Sequence, residues 1–151
     1  MIIAFDPGAI TGIASHGGAH YLWLLNQFDS SRYVKPKSTF YTMLCNLDKP
    51  DVIIVEKFLH RNQTNANYEG LTYQGIIELW AEDNGIPIEW QKLSDCNKFW
   101  DDKKIKALLL WKPSNEHAMD ALRHLLHYRM KYDKDFEHST LQELKEAGIG
   151  Q

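Results

Sequence analysis

The chain has 151 residues, 44% of them hydrophobic, and a net charge of −3. That is the size and composition of one ordinary globular domain with a sizeable core, which needs no disulfide or metal staple to fold. No apolar run approaches a membrane span and no signal peptide is visible, since Asp6 follows Met1-Ile-Ile-Ala-Phe at once. Cys45 and Cys96 show no C-x-x-C spacing and read as reduced thiols of a cytosolic protein.

The charge is uneven. Five acids against two lysines from Asp133 onward carry the whole net charge, so residues 1–132 are neutral. If some acids there hold divalent cations, the working surface becomes positive, and an acidic bare chain can then act on a polyanion.

In chain order, residues 1–5 are a near-continuous apolar run that predicts a buried strand ending on Asp6, and Pro7-Gly8 turn the chain. Ile10 to Ser15 predicts a second strand. His16-Gly17-Gly18-Ala19 supplies a hairpin turn, and Ala19 to Leu25 a third strand, followed by a polar loop from Asn26 to Lys35. Pro36, then Phe40, Met43, Leu44 and Leu47, gives a helix. The run Asp51-Val-Ile-Ile-Val-Glu56 predicts a strand buried on both faces, again ending on an acid.

A polar loop from Lys57 to Asn65 precedes a helix from Ala66 to Asn84, stopped by Gly85. Ile86 to Trp90 reads as a short strand, placed at an edge by its proline. A short helix capped by Ser94 runs through Trp100. A lysine-bearing helix covers Asp101 to Trp111, with Ile105, Leu108 and Leu109 inward. A strong helix covers Glu116 to Tyr132, with Ala118, Leu122, Leu125 and Arg129 on one side. The expected architecture is α/β: a mixed five-stranded sheet, βββαβαβ plus C-terminal helices, with helices on both faces. The domain is expected to span 1–132. Residues 133–151 are expected to be an acidic tail or peripheral helix, with a weakly amphipathic stretch from Leu141 to Ala147.

Three carboxylates stand where geometry can unite them. Asp6 and Glu56 end two buried strands. If those strands are parallel neighbours, both acids lie at the carboxyl edge of the sheet, where mixed α/β sheets place ligand sites. Asp120 lies on the late helix with His117 three residues before it, on a shared face at the rim of the core. Each has an ordinary alternative: a turn residue, the first solvated residue after a strand, a helix-dipole acid, a solvated first-turn histidine. Joint placement favours the functional reading. Close carboxylates repel unless a cation neutralises them, and an oxygen-rich set suits Mg²⁺ or Mn²⁺, with the imidazole tilting preference towards Mn²⁺. Two ions held together form a phosphodiester-cleaving arrangement, with Asp6 as the bridging ligand.

With these residues in view the chain resembles the RuvC family of Holliday junction resolvases, within the RNase H-like superfamily, and its compact size is that of the small phage-encoded members. The resemblance is carried by Phe5-Asp6-Pro7-Gly8 with Thr11-Gly12, by Ile53-Ile54-Val55-Glu56 and by His117-Ala-Met-Asp120-Ala-Leu, and it spans about residues 1–130. It implies an RNase H-like fold and a metal-dependent endonuclease, a crossover junction endodeoxyribonuclease that cuts four-way junctions with two Mg²⁺ or Mn²⁺ ions per site. Asp6, Glu56, His117 and Asp120 would be the catalytic metal ligands.

It also implies a wedge residue after the glutamate, for which Phe58 and Leu59 are both candidates, and lysines that reach the DNA backbone, for which Lys103 and Lys104 stand in the matching part of the chain. The loop side chains Arg61 and Asn62 are further candidates for phosphate contact. The implied partners are branched DNA and a second copy of the chain in a homodimer, for which the helix around Tyr73, Ile77 and Trp80 is the candidate interface. The implied location is a bacterial or phage-infected host cytoplasm, with no membrane. The alternatives are an RNase H-like nuclease acting on RNA or other branched DNA, a non-catalytic DNA-binding module, and the phosphate loop of actin-like sugar kinases. This chain has no second Gly-rich loop to complete the last of these.

Overall fold

A computed structural model describes residues 1–17, 23–57, 68–110, 112 and 115–149. Strands β1 (Ile2–Asp6), β2 (Ile10–His16) and β3 (Trp23–Asp29) form an antiparallel meander. β4 (Val52–Glu56) pairs parallel with β1, and β5 (Ile88–Gln91) parallel with β4. The spatial order is β3-β2-β1-β4-β5, a mixed five-stranded sheet with β1 at its centre and β5 at an edge. The helices are α1 (Pro36–Cys45), α2 (Glu69–Asn84), α3 (Leu93–Asn97), α4 (Asp102–Ala107), α5 (Glu116–Tyr132) and α6 (Lys134–Glu146). Among the described residues no helix is long and apolar enough to cross a membrane.

The central strands are buried on both faces, and their side chains differ in size from one face to the other. Strand residues alternate sides. On one face Ile3, Phe5, Ile13, Ile53 and Val55 pack against Phe40 and Leu44 of α1 and Tyr73, Ile77 and Trp80 of α2. On the other, Ala4, Ala14 and Ile54 meet Met119, Ala121, Leu122 and Leu125 of α5, with Trp100 and Ile105. The α5 face of β1 and β2 is thus built from small residues, and Gly12 continues it. A β-carbon on Gly12 would overlap the carbonyl oxygen of His117 and lie 2.8 Å from the nitrogen of Ala118. Small residues here let the first turn of α5 rest directly on the sheet. Asp6 follows Ala4 by two residues and Glu56 follows Ile54 by two, so the same alternation turns both acids towards α5.

Several expected elements shift. β3 runs to Asp29 instead of yielding to a loop at Asn26. It pairs with β2 as far as Ile10↔Asp29, and Asn26 and Gln27 read as loop because an edge strand wets one face. Residues 18–22, where that strand was expected to begin, lie outside the described residues. β5 begins at Ile88 rather than Ile86. α3 starts at Leu93 with Lys92, not Ser94, in the capping position. α4 is shorter than expected: Asp101 caps it by accepting from the Lys104 amide at 2.8 Å, and Leu109 adopts φ 57° just beyond its end. Leu109 therefore points to solvent instead of inward, 91% exposed.

α6 begins seven residues before the expected amphipathic stretch. Asp133 caps it, Phe136 packs on Trp23 with the Arg129 guanidinium 4.1 Å from its ring, and Thr140 and Leu144 are buried. The expected dimer residues Tyr73, Ile77 and Trp80 are core residues of this chain, no more than 2% exposed, so they cannot also be an interface.

Gly12→Ala should destabilise the protein by about 3 kcal/mol, the scale of forced overpacking, because the colliding atom is helix backbone. Gly75→Ala, inside α2 where an added β-carbon meets nothing within 4 Å, should instead stabilise by about 0.5–1 kcal/mol. Urea unfolding of both variants checks the pair; equal effects would contradict the close approach.

Candidate active site

Asp6 and Glu56 close the central parallel pair, one residue beyond the register position Phe5↔Val55. The turn after Asp6 is pinned by Thr11, which is fully buried. Its hydroxyl donates to the Gly8 carbonyl at 2.9 Å and accepts from the Gly8 amide at 3.3 Å. That closed loop holds Pro7 and Gly8 aside and fixes where the Asp6 carboxylate starts.

Helix α5 crosses the same end of the sheet. Residues 117, 120, 121 and 124 fall on one stripe by helical spacing. His117 brings Nδ1 within 3.1 Å of Asp6 Oδ2. One residue after Asp120's own turn begins, Ala121 keeps the stripe flat against the sheet. His124, completely buried, points Nε2 at Glu56 Oε2 across 3.6 Å. Each strand-end acid is thus met by one histidine of the same helix, two turns apart. Asp120 is engaged by Arg123 Nη1, and Arg123 also binds Asp102 and donates from Nε to the Trp100 carbonyl at 3.1 Å. Arg123 thereby ties the acid of α5 to the start of α4.

The electrostatics follow from crowding. Burial, then a hydrogen bond shared with Glu56 and the charges of Glu56 and Asp120, push the Asp6 carboxyl up to about 9. Burial also opposes the Glu56 charge, but His124 and the hydrogen bond from Asp6 outweigh it and hold Glu56 below its usual range. The two carboxyls are thus pushed in opposite directions, Asp6 towards holding a proton and Glu56 towards losing one. Burial raises Asp120 as well, despite the opposing charge of Arg123. The side chains of Asp6 and Glu56 are 14% and 19% exposed and that of His117 44%, so the cluster opens to solvent on one side.

The donor set suits a hard divalent cation: three carboxylates from three elements, one imidazole, and an excess of negative charge. Among the described residues no group of three or more His, Cys, Asp or Glu is already drawn together as a metal cluster.

The structure brings together four of the residues singled out from the sequence: Asp6, Glu56, His117 and Asp120. Of the candidate DNA contacts, Phe58, Leu59, Arg61 and Asn62 lie outside the described residues. Lys103 is exposed on α4. The Lys104 ammonium is turned back onto the Phe99 carbonyl at 2.7 Å and over the Phe99 ring. Arg123 and His124 were not foreseen. Their signal was present, because Arg123 is three residues from Asp120 and His124 seven from His117, on the face already assigned to the site.

No family model matches the chain, and no curated protein sequence matches it. Its fold is that of RuvC. It is similar to Thermus thermophilus RuvC in complex with a Holliday junction substrate, at a TM-score of 0.61 and 17% identity over 87% of this chain and 96% of that one. A second Thermus thermophilus RuvC structure superposes at a TM-score of 0.58 and 14% identity over 99% of this chain and 98% of the other. At these identities the likeness is one of fold, the RNase H-like class that the resemblance implies and the mixed five-stranded sheet expected from the order of elements.

The Asp6 shift sets a pH dependence for the cation-free protein. Its folded value lies above the unfolded value of 3.8, so its contribution is fully present below about pH 4 and is lost as pH rises towards 9. Urea unfolding in chelator should show stability falling from pH 5 to pH 8, by up to about 1.4 kcal/mol per pH unit for one retained proton. Asp6→Asn should flatten that slope; an unchanged slope would contradict the raised Asp6 value.

Proposed function

We propose that this chain is a divalent-cation-dependent endonuclease acting on branched DNA, with the four-way junction as its substrate. One observation carries the reading: Asp6 and Glu56, on adjacent parallel strand ends, face Asp120 and His117 on the helix that crosses those ends. An RNase H-like fold offers this edge as a site, and the excess of carboxylates there is costly without a cation.

Asp6, Glu56, Asp120 and His117 would hold Mg²⁺ or Mn²⁺. When bound, such ions lower the pKa of a water and offset charge on the leaving oxygen of a phosphodiester. The chain's own residues supply position. Asp6 faces both Glu56 and His117, so it would be the ligand shared by the two sides of the site. The Thr11-pinned turn keeps the Pro7-Gly8 backbone clear of an approaching phosphate. Arg123 holds Asp120 at the rim and presents a cation close to where a DNA backbone would pass. Lys103, exposed on α4, is a further candidate for phosphate contact.

A four-way junction has two-fold symmetry, and paired cuts on it call for two copies of the site, so the working unit we propose is a homodimer. Its interface is not the Tyr73, Ile77 and Trp80 stripe, which the core consumes.

Asp6→Asn, Glu56→Gln and Asp120→Asn should each abolish cleavage of a labelled four-way junction in Mn²⁺ while leaving junction binding in a gel-shift assay. Normal cutting by Asp6→Asn would sink the model. Four-way, three-way, flap and RNA substrates tested side by side separate a junction resolvase from a nuclease for RNA or general branched DNA.

A further inference from the structure

Behind Glu56 lies a buried polar cluster with no place in the ligand set. His124 is fully buried, and its Nδ1 stands 3.1 Å from Gln91 Oε1 and 3.1 Å from Cys96 Sγ. Cys96 Sγ lies 3.3 Å from Gln91 Oε1 and 3.6 Å from the Lys92 carbonyl. Two nitrogens there are buried and unpartnered: His124 Nε2, which faces Glu56, and Gln91 Nε2. Burying a polar nitrogen without a partner is costly. Three hydrogen placements can be compared by how many such groups each leaves.

If Nδ1 carries the hydrogen, it donates to Gln91, and the bare lone pair of Nε2 then faces the Glu56 carboxylate. That arrangement is repulsive. If the Cys96 thiol donates to Nδ1, the hydrogen sits on Nε2 and points at Glu56. If the Gln91 amide presents its NH₂ to Nδ1 instead of its oxygen, a half-turn that leaves the shape of the side chain unchanged, the result is the same. Gln91 then uses its unpartnered nitrogen, and the thiol donates to Lys92. The last two placements agree on the tautomer, and both turn the Nε2 hydrogen of His124 towards Glu56 Oε2, 3.6 Å away. Burial holds the thiol up to about 12, so Cys96 keeps its hydrogen in either case.

Taking the acids as cation ligands, as proposed above, we propose further that His124 is a positioning residue. Its Nε2–H, set by Gln91 and Cys96 from behind, faces Glu56 across 3.6 Å, close enough to bond with a shift of a few tenths of an ångström (~0.5 Å at most), and so aims that carboxylate at the cation. A ligand carboxylate held by a hydrogen bond from its far side is a recurrent support for metal sites, and its loss costs about 10- to 100-fold in metal affinity. Here that support comes from the same helix that supplies Asp120 and His117, one turn further on, so Glu56 and the α5 ligands are registered to one another by a single rigid element.

The test is Mn²⁺ binding by isothermal titration calorimetry on the full chain without DNA, with circular dichroism and the metal-free melting temperature recorded alongside. His124→Leu, which keeps an apolar fill, should fold and bind Mn²⁺ about 10- to 100-fold more weakly. His124→Gln, whose amide nitrogen reaches towards the place of Nε2, should recover most of that affinity. Gln91→Met, which leaves His124 in place and keeps the volume, should show a smaller loss in the same direction and serves as the test should His124→Leu fail to fold.

Wild-type Mn²⁺ affinity in folded His124→Leu would overturn the positioning role, as would unchanged affinity in Gln91→Met when the leucine variant does not fold. So would a glutamine variant as weak as the leucine one. A wild-type chain that binds no Mn²⁺ and leaves junctions uncut would instead overturn the cation-dependent reading on which the role rests.

Discussion

The structure depends on one close approach. Helix α5 can lie on the sheet only because β2 has no side chain at Gly12, where the carbonyl of His117 occupies the space a β-carbon would take. Ala4 and Ala14 extend that low surface, and Ala118 and Ala121 answer it from the helix. With the first turn of α5 seated there, His117 reaches Asp6 at the end of β1 and Asp120 lies on the same helix face. Strand alternation has already turned Asp6 and Glu56 the same way. Small side chains, rather than polar ones, therefore bring the charges together.

The fold then contains a conflict. Three carboxylates are gathered at a half-buried edge, where burial and mutual repulsion push Asp6 towards its protonated form and the Arg123 guanidinium pairs with Asp120. A site that would be better hydrated apart is held together by apolar packing on both sides of the sheet. Sequences violate local rules of this kind where function requires it. The histidines complete the arrangement: His117 faces Asp6 from the solvent side, and His124 faces Glu56 from the core side.

Much of this was legible in the sequence, for identifiable reasons. β1, β4 and α5 could be read nearly to the residue, because unbroken apolar runs and strong helical periodicity leave few alternatives, whereas the pattern through Leu47 carries α1 past its observed end at Cys45. The acids stood out by joint placement, two closing buried strands and one on the late helix, each being ordinary alone. β3 was read as loop beyond Leu25 because an edge strand tolerates Asn26 and Gln27 on its wet face. α4 was overextended because Leu108 and Leu109 continue its pattern, and nothing in the residue type announces that Leu109 takes a left-handed backbone. α6 lacked contrast because its anchor is Phe136 against Trp23 and Arg129, a long-range contact. His124 and Arg123 were hidden for a different reason: a histidine and an arginine on a long helix look solvated until the neighbouring element is known.

The central claim is that Asp6, Glu56 and Asp120 surround a divalent-cation site created by the seating of α5 on β2. Anomalous diffraction from crystals soaked in Mn²⁺ tests it most directly. Two Mn²⁺ peaks about 3.5 to 4 Å apart are expected, with Asp6 between them and Glu56 and Asp120 each completing one. Peaks elsewhere, or none, with Asp6 and Glu56 still hydrogen-bonded to each other, would contradict it.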